Sequence, residues 1–316
     1  MRFLLTLLFL CGADLVQAQQ FPTRPVRMVV GFAPGGGTDI MARLVSQKLT
    51  ERWGQPVVVD NRTGASGNIA AEQVARAAPD GYTLLTAFSS HASNAALSKL
   101  SFDINKDFSS ITQIASGPAV VIANPAVPGK TLAGMLAHAK ANPGSIKYGS
   151  SGVGTPVHLA GELMQQMTGA QMVHVPYKGI APAMTAILAG DIQISFATPL
   201  SALGHLKSGK LVGLAVAAPS RFPTLPDVPT AAEAGLAGYE VDFWYGLLGP
   251  AGMPRELVDR IQRDVAAVLT PPEMKESLLS QGCIAVAGPP QALTALITRE
   301  YELWAKVVKS GGVKME

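Results

Sequence analysis

Short β-branched runs alternate with Ala-rich helical stretches along most of the chain, and this alternation restricts the fold more than any other feature. Val26 to Phe32, Pro56 to Asp60 and Tyr82 to Phe88 read as strands, separated by helices over Asp39 to Arg52 and Asn68 to Ala77. A second set follows, with strands at Ser145 to Tyr148, Met172 to Pro176 and Ile192 to Phe196. Its helices run over Pro156 to Thr168 and Ala181 to Ala189. Alternating β and α units imply parallel sheets wrapped by helices. Two sets imply two α/β lobes.

Two apolar stretches ending in Pro/Gly segments, at 115–129 and 238–254, read as the passages between lobes. The chain is expected to leave the first lobe (19–123), build the second (124–242) and return to the first (243–316). The returning part carries a helix over Pro254 to Leu269 with Pro at its start and a short strand over Cys283 to Ala287. An amphipathic helix over Gln291 to Lys309 follows.

The first residues read as a secretory leader. Arg2 precedes an apolar run from Phe3 to Leu10, and Val16-Gln17-Ala18 forms a small-residue exit, so cleavage is expected after Ala18. The run is too short to span a membrane. Cys11 opens a lipoprotein alternative, against which Leu10 is a poor residue before a lipidated cysteine. Removing residues 1–18 leaves 298 of 316 residues, with Cys283 as the remaining cysteine, so no intrachain disulfide is expected. Export places the mature chain in the periplasm. The net charge of +3 is spread without a basic run, and aromatics make up 6% of residues, which argues against nucleic acid as a partner. Charged residues reach 15%, below the usual ~25%, so a binding site has few charged side chains to draw on.

The stretch "VVGFAPGGGTDIMARLV" (29–45) runs from a strand through three glycines into a helix. A Walker loop needs Gly-Lys-Ser/Thr, and here Gly37-Thr38-Asp39 follows. The dinucleotide pattern G-x-G-x-x-G fails at Ile40. What remains is a helix start: Thr38 reads as N-cap, Asp39 complements the dipole, and Gly36 and Gly37 let backbone N–H groups approach an anion. An ordinary tight turn with an Asp39–Arg43 pair is the alternative. "YGSSGVGTPVHLAGELM" (148–164) repeats the design, with Ser150, Ser151, Gly152 and Gly154 before Thr155 as N-cap and Pro156 at the first helical position. "NRTGASGN" (61–68) is a third junction of this kind. Ligands of open α/β sheets lie at the carboxyl ends of the strands, so one helix start from each lobe is expected to face a shared cleft and suit a carboxylate.

These stretches, together with "NRTGASGNIAAEQVARAAPDGYTLL", "VHVPYKGIAPAM" and "FWYGLLGPAGMP", resemble the Bug or TctC-like family across nearly the whole mature chain. The resemblance implies an α/β, two-lobed type II periplasmic-binding-protein fold, each lobe a sheet flanked by helices, with the ligand cleft between lobes. It implies an extracytoplasmic receptor for a small organic carboxylate, a monomer serving the permease subunits of a tripartite tricarboxylate transporter. The carboxylate-gripping loops of the family correspond here to Phe32 to Asp39 and Ser150 to Thr155. The chain departs from many relatives at Ala197-Thr198-Pro199, where they carry Asn or Asp, and this weakens an amino-acid ligand. Thr198 remains a ligand-binding candidate.

Other candidates carry less. The histidines at 91, 138, 158, 174 and 205 show no H-x-x-x-H spacing, so no metal is expected, and with both nucleotide patterns failing no cofactor is expected. Ser89, Ser90 and His91 follow a strand end near the cleft, with a hydrogen-bonding role for His91 weighed equally against ligand contact. His158, in the first helical turn, is expected to pack or bond to its loop. Lys178 is the basic side chain expected at a strand end facing the cleft, either pairing with a ligand carboxylate or solvated. Tyr177 and Trp244 are candidate apolar walls, with hinge or core packing as the alternative. No G-x-S-x-G elbow is present and no base is placed beside Ser150 or Ser151, so no catalytic residue is assigned. Two rival classes stand beside transport: an exported α/β hydrolase, and a binding protein that feeds a sensor.

Overall fold

The structure, a computed structural model, describes residues 21–309. The expected leader at 1–18, with Cys11, lies outside the described residues.

The chain opens with β1 (Val26–Val30), α1 (Gly37–Trp53), β2 (Val57–Asn61), α2 (Asn68–Ala75), β3 (Thr83–Phe88), α3 (Ser90–Leu97) and β4 (Phe108–Pro118). It then builds β5 (Val120–Ala123), α4 (Leu132–Ala141), β6 (Lys147–Ser150), α5 (Pro156–Thr168), β7 (Val173–Pro176), α6 (Ile180–Ala189), β8 (Ile194–Ala197), α7 (Pro199–Lys207) and β9 (Val212–Val216). Strand β10 (Asp242–Pro250), helices α8 (Arg255–Leu269) and α9 (Pro272–Ser280), strand β11 (Ile284–Ala285) and helix α10 (Pro290–Lys309) complete the path.

Two sheets result, in the orders β11-β4-β10-β3-β1-β2 and β7-β6-β8-β5-β9. The parallel expectation holds only in part. Strands β1, β2 and β3 pair parallel, as do β6, β7 and β8. The strands that carry the chain between lobes instead pair antiparallel, β10 with β3 and β4, and β5 with β8 and β9. Such a strand arrives from the other lobe without a crossover helix, so nothing forces it parallel. The chain passes from the first sheet to the second at Ala119 and back between Val216 and Asp242. By pairing, Val120 to Ala123 belong to the second sheet.

Local chemistry explains the helix limits near the cleft. Thr155 caps α5, its side chain accepting from the His158 N–H, and Pro156 occupies the first turn, where a missing N–H loses nothing. The expected cap of α1 differs: the helix begins one residue before Thr38, with Gly36 in extended conformation at the N-cap and no side-chain cap bond. Thr38 therefore sits inside the first turn. The core is nearly continuous, with Met28, Met41 and Leu84 buried in the first lobe and Tyr148, Phe196 and Tyr239 in the second. Trp244 packs with Leu248 and Leu293 inside the first lobe, so it is a core residue and no wall of the cleft. Among the described residues no helix is long and apolar enough to cross a membrane.

Candidate ligand-binding cleft

Helices α1, α5 and α7 all start at the carboxyl ends of their preceding strands, where the two lobes meet. Between them lies a cavity lined by Phe32, Gly36, Gly37, Thr38, Ser151 and Thr198, all expected from sequence. Phe88, Val157, Ile180, Ala197, Ser201 and Tyr245 complete the lining and were not expected. Apolar walls thus enclose five hydroxyl-bearing side chains, and no lining residue carries a charged one. The lobes are closed tightly enough to leave about 20 Å³ for the centres of water-sized molecules.

The polarity of the cavity comes from helix starts and hydroxyls. The first N–H groups of a helix have no intrahelical partner, so those of Gly37 and Thr38 remain donors at the positive end of α1. On the far side, the Ser151 hydroxyl is buried with no partner within the protein. A buried hydroxyl left unbonded is costly, so one facing a cavity marks a place for a bonding ligand. At the third side the Tyr245 hydroxyl donates to Thr198 Oγ1 at 3.1 Å, and Ser201 Oγ lies 3.2 Å from the same atom. The Tyr245 and Thr198 hydroxyls press against α1: a Cβ on Gly37 would stand 2.4 Å from the Tyr245 oxygen and 3.0 Å from Thr198 Oγ1.

Several residues expected at the ligand are engaged in holding the loops. Asp39 is 2% exposed, and its carboxylate accepts from Gly35 N–H, Arg43 Nε and Asn61 Nδ2, each at 2.9 Å. Burial pushes this carboxyl up, but the hydrogen bonds from Arg43, Gly35 and Asn61 outweigh it and hold it below the usual range. Asn61 also donates to the Phe32 carbonyl, tying the glycine loop to β2. In the second lobe the Gly154 N–H donates to His158 Nδ1 at 3.1 Å, so it is not a free donor for an anion. The Gly152 N–H donates to Ser150 Oγ, and the Thr155 hydroxyl donates to the Gly152 carbonyl at 2.7 Å.

Ser89 and Ser90 are buried behind the Phe88 wall with unpartnered hydroxyls, outside the lining. His91 bonds through Nδ1 to the Phe88 backbone, and complete burial pushes its imidazole below the ordinary value. Tyr177 packs against Gly149 and the apolar core of the second lobe. The Lys178 side chain is exposed and outside the lining; its carbonyl is what meets the other lobe, accepting from Ala33 N–H at 3.2 Å. The third glycine-rich junction also joins the lobes. Ser66 donates to the Val153 carbonyl at 2.6 Å, and Ser93 of α3 donates to the Gly154 carbonyl at 2.8 Å. Among the described residues, no group of three His, Cys, Asp or Glu side chains is placed to hold a metal ion.

Of the residues that sequence reasoning missed, Ser201 had a usable signal. Thr198-Pro199 repeats the Thr155-Pro156 arrangement and announces the start of α7, whose first turn carries Ser201.

Comparison with known proteins identifies the family and the fold. The family model described as "Tripartite tricarboxylate transporter family receptor" matches residues 41–313. Protein BugT of Bordetella pertussis is 34% identical over 304 residues, covering 95% of this chain and 93% of that protein. An R. palustris protein solved with adipate superposes with a TM-score of 0.89 at 36% identity, covering 92% of this chain and 98% of that one. MatC from Rhodopseudomonas palustris, solved with bound malate, gives a TM-score of 0.87 at 32% identity, covering 91% of this chain and 100% of that one. The family consists of solute-binding receptors and not enzymes. With a match over most of its length and a fold shared at this identity, the chain belongs to the tripartite tricarboxylate transporter receptor family, the Bug or TctC-like solute-binding proteins.

Proposed function

We propose that the protein captures a small organic carboxylate in the periplasm, closes its two lobes over it, and delivers it to the permease subunits of a tripartite tricarboxylate-type transporter. One observation carries the reading. The donor-bearing start of α1, the start of α7 and the unpartnered Ser151 hydroxyl meet on a cavity with no charged side chain in its lining. An anion there would be held by helix ends and hydroxyls, the arrangement that suits a carboxylate. The adipate and malate in the two solved relatives support that chemistry. The family supports the transporter as partner, and the leader expected at residues 1–18 fits export.

Ligand access requires the lobes to part. Four contacts would break: Ser66 to Val153, Ser93 to Gly154, Ala33 to Lys178, and Tyr245 to Thr198. Hinge motion of this kind is the usual device of two-lobed receptors.

The test is a thermal-shift screen on protein stripped of co-purified ligand. Carboxylates that bind the folded state should raise the melting temperature in proportion to the logarithm of their concentration. Shifts with amines or sugars, and none across a broad carboxylate set, would overturn the reading. Uptake of the labelled carboxylate should also disappear when the receptor is deleted from its host. Undiminished uptake would remove the transporter from the proposal.

A further inference from the structure

Behind the Ser150–Thr155 loop lies a packed aromatic stack that the cavity does not include. The imidazoles of His158 (α5) and His174 (β7) stack with centroids 4.0 Å apart, and Tyr148 (β6) lies against both, at 6.4 and 5.0 Å. Tyr148 is fully buried and His158 is 4% exposed. The helix approaches the tyrosine closely, since a Cβ on Gly161 would stand 2.3 Å from its ring. Each imidazole also grips one end of the loop. His158 Nδ1 accepts the Gly154 N–H at 3.1 Å, and His174 Nε2 lies 2.6 Å from Ser150 Oγ. Between those two anchors stands Ser151, a residue of the cavity lining whose buried hydroxyl has no partner.

We propose that His158 and His174 are positioning residues for ligand capture: stacked and neutral, they fix the Ser150–Thr155 loop so that the Ser151 hydroxyl faces the cavity. The inference rests on the reading of that cavity as the carboxylate site. It follows from hydrogen-bond direction. An imidazole nitrogen that accepts an N–H cannot itself be protonated, so the His158 proton sits on Nε2, 3.7 Å from Glu162 Oε1. The Tyr148 hydroxyl donates to the same carboxylate oxygen. A proton added at Nδ1 would face the Gly154 N–H and drive the loop away. The groups that meet the pair are Tyr148 and Glu162, and Tyr239 fastens α5 itself by donating to the Ala160 carbonyl. Burial holds both imidazoles below their ordinary value, His174 down to about 3, where the neighbouring His158 adds to the effect. Burial thus favours the uncharged form that the accepted Gly154 N–H requires of His158.

The test compares His158→Asn with His158→Leu in the full mature protein. Asparagine keeps an acceptor oxygen where Nδ1 stands, and leucine removes it. In ligand-free protein, the Gly154 and Ser151 amide resonances should move strongly in the Leu variant and return near their wild-type positions in the Asn variant. With adipate and malate as titrants, the Kd should rise roughly tenfold or more for Leu, equivalent to about 1.4 kcal/mol, and stay within about threefold for Asn. Nitrogen NMR of the wild-type imidazole should report an unprotonated Nδ1 at His158. Should the Leu variant fail to fold, His158→Gln replaces it, because its acceptor sits one bond further out. An unmoved Ser151 amide in the Leu variant, or an Asn variant as damaged as the Leu variant, would overturn the inference. If wild-type protein binds neither acid, that result counts against the carboxylate reading, and the amide comparison decides the positioning role by itself.

Discussion

The two glycine loops look alike in sequence, GGGT at 35–38 and GVGT at 152–155, yet they do opposite work. At the start of α1 the cap position is a bare glycine, no side chain closes the first turn, and Gly36, Gly37 and Thr38 line the cavity. Its fastening is done from behind by Asp39, Arg43 and Asn61. At the start of α5 the N–H groups of Gly152, Gly154 and His158 are spent on Ser150, His158 and Thr155. Of the first-turn donors of α5 only the Val157 N–H is left over, and the side chains this loop brings to the cavity are those of Ser151 and Val157. A helix start is thus an anion site only where its donors are left unspent. Sequence similarity between two such loops does not establish that both are.

The comparison can be broken most severely at Gly37. Gly37→Val should abolish measurable binding of adipate and malate, because its Cβ would overlap the Tyr245 hydroxyl of its own lobe and crowd Thr198 of the other, and the rest of the side chain would fill the cavity. Circular dichroism should stay native, since the backbone there is not in a left-handed conformation. Retained binding would mean that α1 does not face the ligand.

Ser151→Ala should raise the dissociation constant by about 1.5–3 kcal/mol, the contribution of a hydrogen bond to a charged acceptor. Because its hydroxyl has no partner within the protein, denaturant titration should find stability unchanged or slightly increased. Opposite signs for binding and stability are the distinguishing outcome.

Thr155→Ala should do the reverse. Loss of a cap costs about 1 kcal/mol of stability, measured as a lower denaturation midpoint, while ligand affinity falls less than in Ser151→Ala. A larger loss of affinity than of stability would return Thr155 to the list of direct contacts.

Lys178→Ala should have the smallest effect, within about 0.5 kcal/mol on both quantities, as for an exposed side chain away from special features. A loss exceeding that of Ser151→Ala would show that a salt bridge, and not helix ends, holds the anion.

Much of the architecture was legible in the chain. Period and punctuation located β1, α1, β6 and α5 within a few residues, because each pairs a β-branched run with a glycine-rich exit and a periodic helix. The strands linking the lobes were harder. Residues 115–129 read as one apolar strand, but β4 stops at Pro118 and β5 begins in the other sheet two residues later. Hydropathy does not register a change of partner. The same limit hid half of the cleft. Phe88, Val157 and Ile180 are apolar residues at core spacing, and only the closure of the lobes distinguishes a wall from a core residue. Tyr245 adjoins Trp244 on β10, and alternation sends their side chains to opposite faces: the tyrosine into the cleft, the tryptophan into the core. Which of the two faces the cleft is fixed by register, which the sequence does not display.

The uncharged lining of the cavity bears on how the receptor meets its surroundings. Attraction between formal charges weakens as salt accumulates, with a screening length near 10 Å at 0.1 M and near 30 Å at 0.01 M. The periplasm shares small ions with the medium outside, so a site built on lysine or arginine would change its grip with every change in that medium. Helix ends and hydroxyls act over bond lengths, inside a closed space that mobile ions do not enter. The lining of such a site adds no long-range steering of its own. In exchange, its affinity should hold nearly constant from dilute to salty conditions.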